Sequence, residues 1–170
     1  MIEDARAVGR RSLALTVVGT IHTPYRTPEG TPIQSRFGEG IEATVTVRKE
    51  YNDALADIEG FERLWLVYWL DRAGPYVPLV VPYRDDRPHG LFATRSPARP
   101  NPIGLSVVRL VARDGPVLRV ADIDVLDGTP LLDIKPYVPQ VDAYPGCRAG
   151  WFDSNRVDRT IADGRFHGRD

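Results

Sequence analysis

Arg95, Ser96, Arg99 and Asn101 crowd into the stretch 91–106, LFATRSPARPNPIGLS. Two guanidiniums beside two short polar groups form a natural grip for a carboxylate or a phosphate. Pro97, Pro100 and Pro102 fix their own φ and push the residues before them towards extended conformations. Ser96, Arg99 and Asn101 are thus carried on a stiff connector, which lowers the entropy cost of binding. A proline-rich surface turn has the same composition, so the flanks must decide. A second polar group lies in 117–126, VLRVADIDVL, where a strand period of two puts Leu118, Val120, Asp122, Asp124 and Leu126 on one face. Two carboxylates on an apolar face are costly to bury unless paired. They accept either from backbone or arginine donors, or from a ligand's hydroxyls or cationic group.

Other chemistries fail on spacing. Gly38-Glu39-Gly40 with Ala43 imitates a dinucleotide fingerprint, but no strand precedes it and an alternating strand pattern follows. His22, His89, His167 and Cys147 have no metal-ligand spacing, so no metal is expected. Ser106 follows Gly104 but precedes Val108, so there is no nucleophile elbow, and no phosphate-binding GxxxxGK[ST] occurs. A single cysteine excludes an internal disulfide framework and fits the cytoplasm. No charge-free window of transmembrane length and no apolar signal core are present, so no membrane partner is expected. A net charge of −1 argues against a general nucleic-acid binder, although Lys49 and Lys135 are the only lysines among 22 basic residues. Local arginine patches therefore stay open.

These groups need a frame. Residues 1–11 read as a flexible arm, 12–150 as one domain and 151–170 as a C-terminal tail. β-Branched residues in 13–22 predict a first strand. The Thr-Pro-rich stretch 23–40 predicts a long loop, and alternation over 41–47 predicts a strand with one buried face. Residues 50–58, closed by Gly60, predict a short helix, and 63–70, apolar on both faces, a central strand. Strands follow over 105–112 and 117–126, with a hairpin partner at 131–135 where Asp133 and Lys135 share a face and can pair. A short helix is expected around 155–161. Many short strands with turn chemistry between them make the chain mainly β: a single-domain small β-barrel with short helices and long Pro-rich loops.

ATRSPARPNPIGLS followed by DGTPLLDIKPYVP resembles the signature of the TrmO-type (TsaA-like) methyltransferases. The opening VVGTIHTPY, the strand LWLVYWL and the order of elements extend the likeness over 17–145. The resemblance implies an S-adenosylmethionine-dependent methyltransferase that works as a homodimer and releases S-adenosylhomocysteine. It implies tRNA as substrate, the acceptor being N6 of a threonylcarbamoyl-adenosine beside the anticodon. It also implies cofactor contacts from Pro32, Ile33 and Gln34, where the family usually reads Pro-Arg-Gln and Arg36 is the nearby substitute arginine. Further contacts are implied from Arg95, Leu105, Ile123 and Asp124. Asp71-Arg72 stands where the family commonly has His-Gln; both are cofactor-contact candidates, and Asp71 is the candidate proton acceptor. Arg99 is open between tRNA phosphate, a dimer contact and a surface charge. Two alternatives are a methyltransferase of the same fold acting on a small molecule and a non-catalytic cofactor-binding module. The near-neutral charge and the short chain beyond the barrel weigh towards the small-molecule acceptor.

Overall fold

The computed structural model describes residues 12–154 and 157–167; the expected arm at 1–11 lies outside them. Period-two segments supply the frame. Strands β1 (Gly19–His22), β2 (Glu42–Val47), β3 (Arg63–Trp69), β6 (Ile103–Asp114), β7 (Val117–Ala121) and β8 (Thr129–Pro136) close into an antiparallel barrel ordered β1-β2-β7-β6-β3-β8. Closure removes every edge, so each barrel strand has two neighbours. Two very short strands, β4 (Leu79–Val80) and β5 (His89–Gly90), pair within the loop between β3 and β6. Alternation packs Ile21, Val45, Leu64, Leu66, Val108 and Leu131 into the interior with no measurable exposure. The barrel is therefore a filled core, and a ligand has to be held at its rim.

Several expected boundaries move. The first strand starts at Gly19, and Leu13 and Leu15 are exposed. The segment expected as a helix forms 3-10 turns at Lys49–Leu55 and Ile58–Gly60, separated by Asp57 with φ of 63°. β8 pairs with β1 and β3, not with β7, so the expected hairpin is absent and the loop carrying Asp124 is free to cross the rim. One four-residue α-helix, α1 (Pro139–Asp142), follows β8. Asp133 and Lys135 do pair, at 2.8 Å, but largely in solvent, where such a bond adds little stability. The helix expected around 155–161 falls partly outside the described residues; 157–160 has no regular structure and Ile161 forms an isolated bridge with Pro32.

Candidate functional site

β7 stops at Ala121 because Asp122 turns into the left-handed region, φ 65°. That turn ends the alternation and separates the two aspartates expected to share a face. Asp122 goes to structure: it accepts from the Gly40 N–H at 2.9 Å and pairs with Arg63 at 3.2 Å and Arg109 at 3.6 Å. Asp124 goes to the rim, where Ser106 Oγ donates to its Oδ1 at 2.6 Å. The Tyr68 hydroxyl lies 2.8 Å from Ser106 Oγ, giving a line Tyr68–Ser106–Asp124 that starts in the buried interior and ends at a half-buried carboxylate.

Gly104 explains how this line is built. It faces Tyr68 in the β3–β6 register, and a Cβ there would lie 2.0 Å from the ring. The bare backbone at Gly104 lets the ring lie flat on β6 and reach Ser106, the next residue on the same face. Gly38 does the same for the neighbouring loop, since a Cβ there would sit 2.3 Å from the Ile123 carbonyl oxygen. The turn Ser35–Phe37 thus presses against Ile123, and the Ser35 N–H reaches Asp124. Just before it, the Gln34 side chain accepts from Arg95 Nη1.

The electrostatics follow from this crowding. Burial pushes the Asp124 carboxyl up to about 6, against the opposing pull of Ser106, Arg95 and the Ser35 N–H. Burial also raises the Tyr68 hydroxyl well above its usual range, with nearby Asp124 adding to the effect, so Tyr68 stays a neutral donor.

The structure thus brings Gln34, Arg95 and Asp124 to one place, with Ile123 fully buried behind them and Pro32 and Ile33 in the approach to Gln34. Other expected contacts stand apart from this cluster. Leu105 points to the outer barrel face, 53% exposed, because it alternates with Ser106. Asp71 pairs with Arg72 at 3.5 Å, and Arg72 donates to the Asp127 carbonyl and Thr129 Oγ1, bracing the turn before β8. Arg36 is exposed on the Ser35–Phe37 turn. Arg99 is neither a free grip nor a surface charge. Its Nη1 reaches the carbonyls of Leu91, Thr94 and Ser96 at 3.4, 3.0 and 3.4 Å, and its guanidinium lies over the Phe92 ring. It staples the 91–99 segment into the shape that projects Arg95. Ser106 and Tyr68 are the site residues that sequence reasoning missed. The glycine two positions before Ser106, opposite an aromatic strand residue, was the available signal.

An open hollow of about 650 Å³ lined by His22, Arg26, Glu42, Arg119 and Asp127 shares none of these groups. It lies wide open to solvent, and its buried hydroxyl, Thr23, is already spent on the Val125 carbonyl at 2.8 Å, which makes it the weaker ligand site. Among the described residues, no group of three or more His, Cys, Asp or Glu could hold a metal ion, and no helix is long and apolar enough to cross a membrane.

A polar rim with one cation, one carboxylate and an amide suits a zwitterionic ligand carrying hydroxyls. Comparison with known proteins gives the family. Residues 20–143 match the family model described as the tRNA-methyltransferase O N-terminal domain. A probable S-adenosyl-L-methionine-binding protein of Pyrococcus abyssi is 50% identical over 151 residues, which is 88% of this chain and 82% of that protein. The tRNA (adenine(37)-N6)-methyltransferase of Escherichia coli is 34% identical over 147 residues, 81% of this chain and 63% of the enzyme. The crystal structure of TrmO from Pseudomonas aeruginosa superposes with a TM-score of 0.70 at 32% identity, covering 82% of this chain and 62% of that one. The chain thus spans a little over three-fifths of the length of these two methyltransferases.

Proposed function

This chain belongs to the tRNA-methyltransferase O N-terminal domain family, and from that premise we propose that it is an S-adenosylmethionine-dependent methyltransferase that methylates N6 of adenosine 37 in tRNA, with threonylcarbamoyl-adenosine as the modified base. The observation that carries the reading is the meeting of Gln34, Arg95 and Asp124 at the barrel rim. These donors fit the cofactor. Arg95 can grip the α-carboxylate through two N–H groups. Asp124, ionised in most molecules at neutral pH, accepts from the α-ammonium or from ribose hydroxyls. Gln34, whose Oε1 accepts from Arg95 and whose Nε2 donates to the Ile33 carbonyl at 2.6 Å, keeps its second amide N–H and second lone pair for the adenine edge. The bound cofactor supplies an electrophilic methyl group on a sulfonium. The chain's part is alignment and exclusion of water, which together can lower the barrier by several kcal/mol, on the order of 7–11 at best. Asp71 is committed to Arg72, so we assign it no proton transfer.

A homodimer is part of the proposal. On the outer face of β3 and β6, Trp65 stands opposite Val107, Val67 opposite Leu105 and Trp69 opposite Ile103. Trp69, Ile103 and Leu105 are 46%, 43% and 53% exposed, a contiguous apolar stripe of the kind that partners cover. Leu105 would then meet a cofactor only across that interface. A tRNA substrate puts the protein in the cytoplasm.

Incubation with methyl-labelled cofactor and tRNA from cells lacking this methylation tests the function. Label in N6-methylated threonylcarbamoyl-adenosine after nucleoside digestion is the expected result. Label only in small molecules would assign another acceptor. Cofactor binding with no transfer to either would assign a binding module.

A further inference from the structure

The loop that presents Gln34 is held by its own turn, in which Thr31 donates its N–H to the Pro28 carbonyl at 3.0 Å and its hydroxyl to the Thr27 carbonyl at 2.9 Å, and by a second segment of the chain. Residues 28–34 have no strand partner in the barrel; their partner is the C-terminal segment 157–167. The Ile33 N–H donates to the Thr160 carbonyl at 2.9 Å, the Ala162 N–H to the Thr31 carbonyl at 2.7 Å, and Pro32 and Ile161 face each other between these bonds. Gly30 adds a bond to the Ala162 carbonyl at 3.3 Å. This is a short antiparallel ladder ending one residue before Gln34.

The segment is itself pinned along its length. Tyr83 donates its hydroxyl to the Asp163 carbonyl at 2.6 Å and packs edge-on against Phe166. Arg84 pairs with Asp158 at 2.9 Å and donates to the Arg159 carbonyl. Asp163 is gripped by Arg159 at 2.6 Å and Arg165 at 2.7 Å, which fixes the bend between the two halves. At the far end His167 bridges Ala73, and the Gly74 N–H donates to the Phe166 carbonyl at 3.1 Å. One strap therefore spans from the Gln34 loop to the loop carrying Asp71-Arg72, while the Asp124 cluster draws its polar side chains from elsewhere.

We propose that the strap 157–167 is a positioning element of the cofactor site: by pairing with Gly30, Thr31 and Ile33 it fixes Gln34, and through Gln34 the direction of Arg95. The inference rests on the cofactor reading above. A loop that is competent only part of the time binds in proportion to that fraction, so releasing it to a tenth occupancy weakens apparent affinity about tenfold. Ala162→Pro removes the N–H that bonds Thr31, and Ala162→Gly keeps it. Tyr83→Phe removes one anchor and keeps the ring, and serves if the proline variant does not fold.

The test combines amide hydrogen exchange at Ile33 in the cofactor-free protein with calorimetric titration of S-adenosylhomocysteine. The strap predicts faster exchange at Ile33 and about tenfold weaker binding in Ala162→Pro, a smaller change of the same sign in Tyr83→Phe, and wild-type behaviour in Ala162→Gly. Faster exchange with unchanged affinity would make the strap merely structural and overturn the proposal; unchanged exchange in both disrupting variants would overturn it as well. Failure of the wild type to bind S-adenosylhomocysteine would instead defeat the parent reading.

Discussion

Burial of Asp124 carries a stability cost at the site proposed for the cofactor. Burial raises its folded-state value to about 6, above its ordinary value of 3.8. The native state therefore holds this proton more tightly than the unfolded chain does. Its stabilising contribution is full below the unfolded value and is lost as pH rises through about 6. Asp124→Asn keeps an acceptor for Ser106 and removes the buried charge. We expect it to stabilise the protein at pH 8 by about 1–2 kcal/mol, from a shift of about two units discounted for partial solvent access. Thermal unfolding should show a rise of about 2–4 °C per kcal/mol at pH 8 and no gain below about pH 3. Cofactor affinity should fall in the same variant, and wild-type affinity should fall as pH drops through about 6. A variant no more stable than wild type at pH 8 would mean that the carboxylate is not strained by burial. Asp122 and Asp124 were indistinguishable by period alone. A positive φ at a non-glycine residue leaves no mark in a hydrophobic pattern, so the sequence put them on one face while the backbone sent them apart.

Between β3 and β6 the decisive contact is aromatic ring on glycine. Gly104→Ala would set a methyl 2.0 Å from the Tyr68 ring, so the ring must leave Ser106. Overpacking of this kind costs about 1–3 kcal/mol. Denaturant unfolding should show that loss, with cofactor binding weakened because Ser106, the donor to Asp124, loses the Tyr68 hydroxyl that orders it. Stability equal to wild type would show that β6 shifts to accommodate the methyl. Strand existence was readable here: alternation in 41–47 and the Trp- and Leu-rich run 63–70 both became barrel strands. The helical reading of 50–58 failed because a left-handed Asp57 and 3-10 hydrogen bonding broke it into two turns.

For the whole molecule, barrel class follows from many short strands, but strand order does not. The pairing of β8 with β1 and β3 spans the chain, and no local signal predicts it. The approach of Gln34 to Arg95 depends on that topology and could be anticipated only through the family likeness. The outer stripe makes its own prediction. Leu105→Asp places a charge at the centre of the apolar face, and sedimentation should show a dimer in the wild type and a monomer in the variant. Identical monomers would remove the stripe as an interface.

The central claim is that Arg95, aimed by Gln34 and stapled by Arg99, holds the cofactor beside Asp124. Calorimetric titration of S-adenosylhomocysteine into wild type and Arg95→Ala tests it most directly. The account predicts binding by the wild type and a loss of about 1.5–3 kcal/mol in the variant, the worth of a hydrogen bond to a charged group. Equal affinity in the two proteins would contradict it.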